Sequence, residues 1–300
     1  MTEAEFLAAL RTLPLHPGAN GLSDDSASLG QYVLTTDTIV ETIHFLPGDL
    51  PGDVAWKLVV TNLSDLAAKG ATPVGVLLNY PLSGGAWDTA FLAGFAHVLR
   101  SFDTPLLGGD TVSLPHGAPR ILTLTAIGSA AAATPLRSGA NPGDLLYVTG
   151  TVGNAGAGLA IARGKPGPDE LLDAYRRPQP RLAEGRALAP HVHAMMDVSD
   201  GLLIDARRMA ETSGLAVTID LAAMPLSQAY LDFAGRTRDT RLAAATAGDD
   251  YELLFAAPPG HTPPATATPI GRFDPGAGLI LHDGGDVLPL PSHLGFQHDI

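Results

Sequence analysis

The 300-residue chain contains no cysteine, which excludes a disulfide framework, thiolate metal sites and a cysteine nucleophile and leaves oxygen and imidazole as ligands. Positive charge is also scarce, with 18 Lys and Arg against 31 Asp and Glu for a formal net charge of -13. Such a field repels nucleic acid and anionic membrane surfaces, so if the ligands are phosphates, cations must mediate. No apolar run approaches the ~18 residues of a membrane span. The start MTEAEFLAALRTL is an acidic amphipathic helix pattern without the basic region, apolar stretch and cleavage site of a signal peptide. The expectation is a cytoplasmic protein with neither a nucleic-acid nor a membrane partner. Several catalytic signatures are missing too. No G-x-S-x-G elbow exists, which argues against a serine hydrolase. GTVGNAGAGLA lacks the spacing of a dinucleotide loop and reads as a turn or close helix packing, and GLAIARGKP fails as a phosphate loop by one residue and a proline.

What is present is enough apolar residue, 45%, to bury a proper core. The 34 glycines and 25 prolines are spread along the chain and read as frequent turns. QYVLTTDTIV alternates and is rich in β-branched residues, which predicts a strand, and Asp53 to Lys69 has helical spacing that stops at Gly70. VGVLLNYPL, LLGGDT, RILTLTAIGSA, LLYVTG, MMDVS, LAVTIDL and YELLFAAP read as further strands, with helices between several of them. The fold class is α/β. The Pro- and Gly-bearing segment Ala131 to Asp144 marks a connection, which divides the chain into residues 1–134 and 135–300.

The acids are not scattered evenly: Asp24 and Asp25 stand in LSDDSA, Asp37 in LTTDT, Asp65 in NLSDL, Asp110 in LLGGDT, Asp197 and Asp200 in DVSDG, Asp249 and Asp250 in AGDDYEL, most of them where an apolar strand ends or a turn begins. Any one of them has an ordinary reading as a turn or helix cap, and Asp200 stands just ahead of the helix pattern GLLIDARRMAETS. Asp53 with Lys57 and Asp65 with Lys69 are also i,i+4 pairs that a solvated helix face would explain. As a set the acids suit Mg²⁺, which takes one or two carboxylates together with substrate phosphates and water. At period two, Thr35 and Asp37 share a strand face while Thr36 turns away. The HVH run at His191 to His193 lacks a third ligand nearby, and His44 reads as a packed or surface histidine on its own.

The blocks DDSA, TTDTIVETIHF, NLSDLAAKGA, LLGGDT, TPLRSGANPGD, DVSDGL and GDDYELLF, in this order and spacing, resemble the thiamine-monophosphate kinases of the aminoimidazole ribonucleotide synthetase superfamily. Selenophosphate synthetases usually carry a reactive cysteine or selenocysteine, and the hydrogenase-maturation relative ends in a cysteine tail; this chain has neither. The resemblance implies a two-domain fold with mixed sheets and packed helices, a homodimer joined through the N-terminal domains, and ATP-dependent conversion of thiamine monophosphate to thiamine diphosphate. It implies several Mg²⁺ ions on Asp25, Thr35, Thr36, Asp37, Asp65, Asp110, Asp197 and Asp200. ATP contacts would come from Gly109, Asp110, Arg137 and Ser199, and substrate contacts from His44, Asp249 and Phe296. Asp249 stands where the family usually has Glu, and Asp299 where it usually ends in an aromatic. The alternatives are another ATP-dependent enzyme of the superfamily, such as a ring-closing ligase, and a non-catalytic divalent-metal-binding module.

Overall fold

Alternation of β-branched and polar residues makes Tyr32–Val40 a strand whose Val33, Thr35 and Ile39 are buried while Thr36 and Thr38 are exposed. The computed structural model describes residues 2–115, 117–130 and 134–297. The first half runs α1 (Glu3–Leu10), β1 (Ala27–Leu29), β2 (Tyr32–Val40), α2 (Pro51–Ala68), β3 (Thr72–Leu82), α3 (Ala86–Ser101), β4 (Leu106–Ser113) and β5 (Ile121–Ser129). Thr2 and Glu5 form a capping box at the start of α1, which ties off its first amides. Gly70, with φ of +61°, takes the left-handed turn that ends α2.

Among the described residues the strands form two sheets. The first has the order β1-β2-β5-β3-β4, antiparallel except for the parallel β3–β4 pair. Helices α2 and α3 pack on one face through Leu58, Val59, Leu63, Phe91 and Phe95 against Leu122, Leu124 and Ala126. The opposite face carries exposed Thr36, Thr38 and Leu77, and β4 is exposed along its whole length.

The second half contributes β6 (Leu145–Thr149), α4 (Asn154–Ala162), α5 (Asp169–Arg176), α6 (Leu182–Leu188), β7 (Ala194–Asp197), α7 (Leu202–Ser213), β8 (Leu215–Asp220), α8 (Gln228–Ala234), α9 (Arg238–Thr246), β9 (Leu253–Ala257), β10 (Ala267–Pro275), β11 (Gly278–Asp283) and β12 (Asp286–Leu288). Its sheet has the order β12-β11-β8-β10-β6-β9-β7, with β8 and β11 parallel. The last three strands carry no alternation clear enough to read from the Pro- and Gly-rich sequence. The glycine-rich GTVGNAGAGLA stretch serves helix packing, because a Cβ at Gly158 would stand 2.0 Å from the Leu171 carbonyl oxygen.

The two halves meet along α2. Its C-terminal Ala67 and Ala68 pack with Tyr147, Leu188, Met195, Leu253 and Phe255, and the Trp56 indole donates to the Pro178 carbonyl at 2.8 Å. Helix α2 therefore lies between the sheets, with Asp53, Lys57, Asn62, Ser64 and Lys69 all buried. The i,i+4 pairs do not form a solvated face. Instead Asp53 pairs with Arg177, Lys57 with Asp249, and Lys69 with Asp24 and Asp25.

Candidate functional site

Three acids from three parts of the fold converge. Asp25 precedes β1, Asp65 sits in α2 and Asp197 ends β7, and one carboxylate oxygen of each lies within 4.8 Å of the others. Their neighbours hold them by hydroxyls: Thr35 Oγ1 donates to Asp65 Oδ2, and Ser64 Oγ donates to Asp197 Oδ2 at 2.5 Å. Asp37, on the Thr35 face of β2, donates its amide to Asn62 Oδ1 at 3.3 Å. Helical spacing thus places Asn62 and Asp65 one turn apart and aims both at the same strand.

Burial shapes the charge of this group. It pushes the Asp197 carboxyl up to about 8, with the Asp25, Asp205 and Asp37 charges adding to the rise against the Ser64 hydrogen bond. It pushes Asp37 up to about 6, partly offset by a hydrogen bond with Asp65 and reinforced by Asp25 and Asp200. Asp65 rises well above the usual range through burial and then the charges of Asp37, Asp197 and Asp25. Buried carboxylates that repel one another in this way are short of positive charge.

Asp25 is the exception. Burial raises its carboxyl too, but the Arg137 guanidinium and Lys69 ammonium outweigh that and hold it at about 2. Arg137 Nη2 bonds Asp25 Oδ1 and the Arg137 amide donates to Asp24 Oδ1 at 3.1 Å. Lys69 Nζ lies 2.5 Å from Asp24 Oδ1 and 3.2 Å from Asp25 Oδ2. The TPLRSG connection is thereby pinned to the DDSA turn.

A second cluster gathers the expected substrate residues. The His44 and Phe296 rings meet edge to face, 6.1 Å between centroids. Lys57 Nζ donates to the His44 carbonyl at 3.0 Å and to Asp249 Oδ2 at 2.7 Å, while the Tyr251 hydroxyl donates to Asp249 Oδ1 at 3.0 Å. His44 Nδ1 accepts the Val40 amide at 3.0 Å. The Phe296 amide donates to the Asp200 carbonyl at 2.8 Å, and the Asp249 amide to that of Ser199 at 2.8 Å. The DVSDG turn therefore adjoins both clusters, and Ser199 is half-buried between them. Asp299 lies outside the described residues.

Some expected residues stand elsewhere. The Thr36 side chain is on the uncovered sheet face, bonded to the Leu124 carbonyl at 3.1 Å and accepting from Thr125, because strand alternation turns it away from Thr35 and Asp37. Gly109 and Asp110 are on β4, separated from β2 by β3 and β5, or roughly 14 Å at about 4.8 Å per strand. Gly109 packs closely, since a Cβ there would stand 1.8 Å from the Leu78 carbonyl oxygen. The Asp200 carboxylate does not cap α7. It is drawn to Arg208 Nη1 at 2.5 Å, and Asp205 Oδ2 accepts the Asp200 and Gly201 amides at 3.1 Å instead. His193 bonds Asp144 and His191 stacks with His261, so the HVH imidazoles do not converge.

Sequence reasoning missed the roles of Lys57 and Lys69, which read as members of solvated i,i+4 pairs, and gave Ser64 no role. It also missed Asp24, overshadowed by its neighbour, and the Asp205–Arg208 pair. Asp53, Lys57, Ser64 and Asp65 fall along one side of α2, and helical spacing does not distinguish a polar stripe that faces water from one that meets another domain.

The AIR synthase related protein N-terminal domain model matches residues 23–130 and the C-terminal domain model residues 141–283. The thiamine-monophosphate kinase of Caulobacter vibrioides is 38% identical over 94% of this chain and 86% of its own length. A solved structure described as AaThiL complexed with AMPPCP and TMP superposes with a TM-score of 0.87 at 26% identity, covering 99% of this chain and 97% of that one. The crystal structure of thiamine-monophosphate kinase from Stenotrophomonas maltophilia gives a TM-score of 0.77 at 32% identity, covering 95% and 96%. With both domain models matched and relatives at this identity along nearly the whole chain, the protein belongs to the thiamine-monophosphate kinase family, built from the two AIR synthase related domains.

Proposed function

We propose that this chain is a thiamine-monophosphate kinase that transfers the γ-phosphoryl group of ATP directly to thiamine monophosphate, giving thiamine diphosphate. The observation that carries the mechanism is the convergence of Asp25, Asp65 and Asp197 from two domains onto one point between the two sheets. The relatives' names and the AMPPCP and TMP complex of AaThiL support the substrates.

The donor set fits Mg²⁺. It is all oxygen, three of its carboxyls are raised by burial and mutual repulsion, and the buried Oδ2 atom of Asp37 has no hydrogen-bond partner. Asp25, Asp65 and Asp197 would hold the metal, with Asp37 and Thr35 beside them. When bound, the ions supply neutralisation of charge on the transferring phosphoryl group.

The protein's own residues orient the two polyanions. Arg137, at the connection between domains, contacts the ATP phosphates, and Ser199 contacts the nucleotide from the DVSDG turn. Asp200, paired with Arg208, is near enough for its charge to raise the Asp37 carboxyl and would be a further ligand. His44, Asp249 and Phe296 hold the acceptor. Asp249 is one methylene short of the family's Glu, and Lys57 and Tyr251 anchor both its oxygens. No general base is required, because a phosphate monoester with second pKa near ~6 is already largely a dianion at neutral pH.

The domains divide at residues 134 and 135, and the enzyme works in the cytoplasm as a homodimer. Support for the dimer comes from the exposed β4 edge, with Leu106, Leu107 and Val112 about half exposed, and from the uncovered sheet face. An open edge of this kind invites a second chain. Dimerisation there explains how Gly109 and Asp110, remote from β2 in their own chain, would reach acids of a partner subunit. Among the described residues no helix is long and apolar enough to cross a membrane.

Incubation with ATP, Mg²⁺ and thiamine monophosphate tests the proposal by the appearance of thiamine diphosphate. ATP hydrolysis without that product would favour another reaction on the same fold.

A further inference from the structure

We infer that Lys57 is a positioning residue for the acceptor, tying the His44 contact of the first domain to the Asp249 contact of the second; this rests on the reading of those residues as acceptor contacts. Lys57 is buried in α2, its side chain 3% exposed. Its ammonium donates to the His44 carbonyl at 3.0 Å and to Asp249 Oδ2 at 2.7 Å, and lies 4.3 Å from the centre of the Tyr175 ring. Asp249 has the opposite character, with a side chain 31% exposed. The lysine thus stands behind the carboxylate and fixes its direction without occupying the surface it presents.

The backbone at this turn is itself tightly held. Asp249 has φ of +68° and Tyr251 +52°, a left-handed conformation that Asp tolerates but that an aromatic residue adopts only where its surroundings hold it. Around them Asp250 accepts the Gly153 amide at 2.7 Å, and the Tyr251 hydroxyl links Asp249 to Thr61 of α2, 3.1 Å away. Both anchors of the Asp249 carboxylate therefore trace to α2. A buried ion pair is weak evidence for stability, because an apolar pair of the same volume often serves as well. What the Lys57–Asp249 pair supplies instead is a set distance between two loops that belong to different domains.

Steady-state kinetics on the full-length enzyme test this. Lys57→Met is expected to raise KM for thiamine monophosphate about tenfold or more, the scale of one charge-assisted hydrogen bond, with KM for ATP within about twofold of wild type. Lys57→Arg, which keeps the donor, restores part of the loss. In an Asp249→Asn background Lys57→Met adds little, since the two act as a unit. Equal movement of both KM values, additive effects, or a lowered Tm with the acceptor KM unchanged would overturn the inference. If Lys57→Met does not fold, Lys57→Gln and Lys57→Arg are read by the same criterion. Wild-type enzyme that makes no thiamine diphosphate sinks the kinase reading and this inference with it, whereas product with an unmoved acceptor KM in the variants sinks this inference alone.

Discussion

Ser64 Oγ donates a 2.5 Å hydrogen bond to Asp197 Oδ2, so the central helix of the first domain holds an acid of the second. Both side chains are fully buried, where a hydroxyl–carboxylate bond has no competition from water and an unpaired carboxylate is costly. The site therefore depends on the contact between domains as much as on either domain. That contact is made by the same helix that carries Asp65 and ends at Lys69.

Asp37→Asn and Asp65→Asn are expected to lower kcat at least about 100-fold, the scale of removing one electrostatic contact to a transition state. The Tm of the metal-free protein should hold or rise, because each substitution removes a carboxylate that burial and like charges already disfavour. An unchanged kcat in both variants would mean that these acids are structural.

Stability of the metal-free enzyme should fall as pH rises from 5 to 8. Raised carboxyls at Asp37, about 6, and Asp197, about 8, bind more protons folded than unfolded across that window, so their contribution is complete near pH 4 and lost above pH 8. Asp25, held at about 2, acts oppositely and contributes only above the unfolded value, losing its effect as pH falls toward 2. Mg²⁺ should stabilise more at pH 8 than at pH 5, since it competes with protons for the same oxygens. Thermal melts in EDTA and in Mg²⁺ check this, and a Tm in EDTA that climbs from pH 5 to 8 would contradict it.

Lys69→Met should cost about 3–5 kcal/mol, because it strands buried Asp24 and Asp25 with one fewer cation. Lys69 is 1% exposed and its partners 3% and 6%. Urea unfolding in EDTA measures the loss; a shift below about 1 kcal/mol would show that Arg137 alone balances the pair.

No phosphoenzyme should form. The hydroxyls that touch the acid cluster, Ser64 and Thr35, are buried at 0% and 6% exposure and committed to carboxylates. Turnover with γ-³²P-ATP followed by acid quench should leave the protein unlabelled, and a label on the protein would replace direct transfer with a two-step route.

If the chain dimerises through the exposed β4 edge as proposed, Val112→Glu should give monomers and abolish activity, as read by analytical ultracentrifugation and product formation. A fully active monomer would mean that Gly109 and Asp110 are not shared between subunits.

Much of the site was legible because its chemistry is local. Strand alternation alone separates Thr35 and Asp37 from Thr36, and it correctly turns the Thr36 side chain away where resemblance would include it. Gly70 announced the end of α2. Other readings failed where a partner distant in sequence outbid a near one. Lys57 and Lys69 have acids four residues before them, yet pair with Asp249, Asp24 and Asp25, because α2 is enclosed on both sides and its charges take whatever the facing surfaces offer. Asp200 looked like a helix cap, but Asp205 inside the helix accepts those amides and Arg208 takes the Asp200 carboxylate.

Residue identity and short-range order suffice for the α/β class, the lack of thiol chemistry, the grouping of acids and the family. Which acids share one point follows from packing. Asp25, Asp65 and Asp197 are separated by tens to more than a hundred residues, and their carboxyls come to share a charge only because α2 is packed between two sheets, where low dielectric makes their separation in space, not in sequence, the distance that counts.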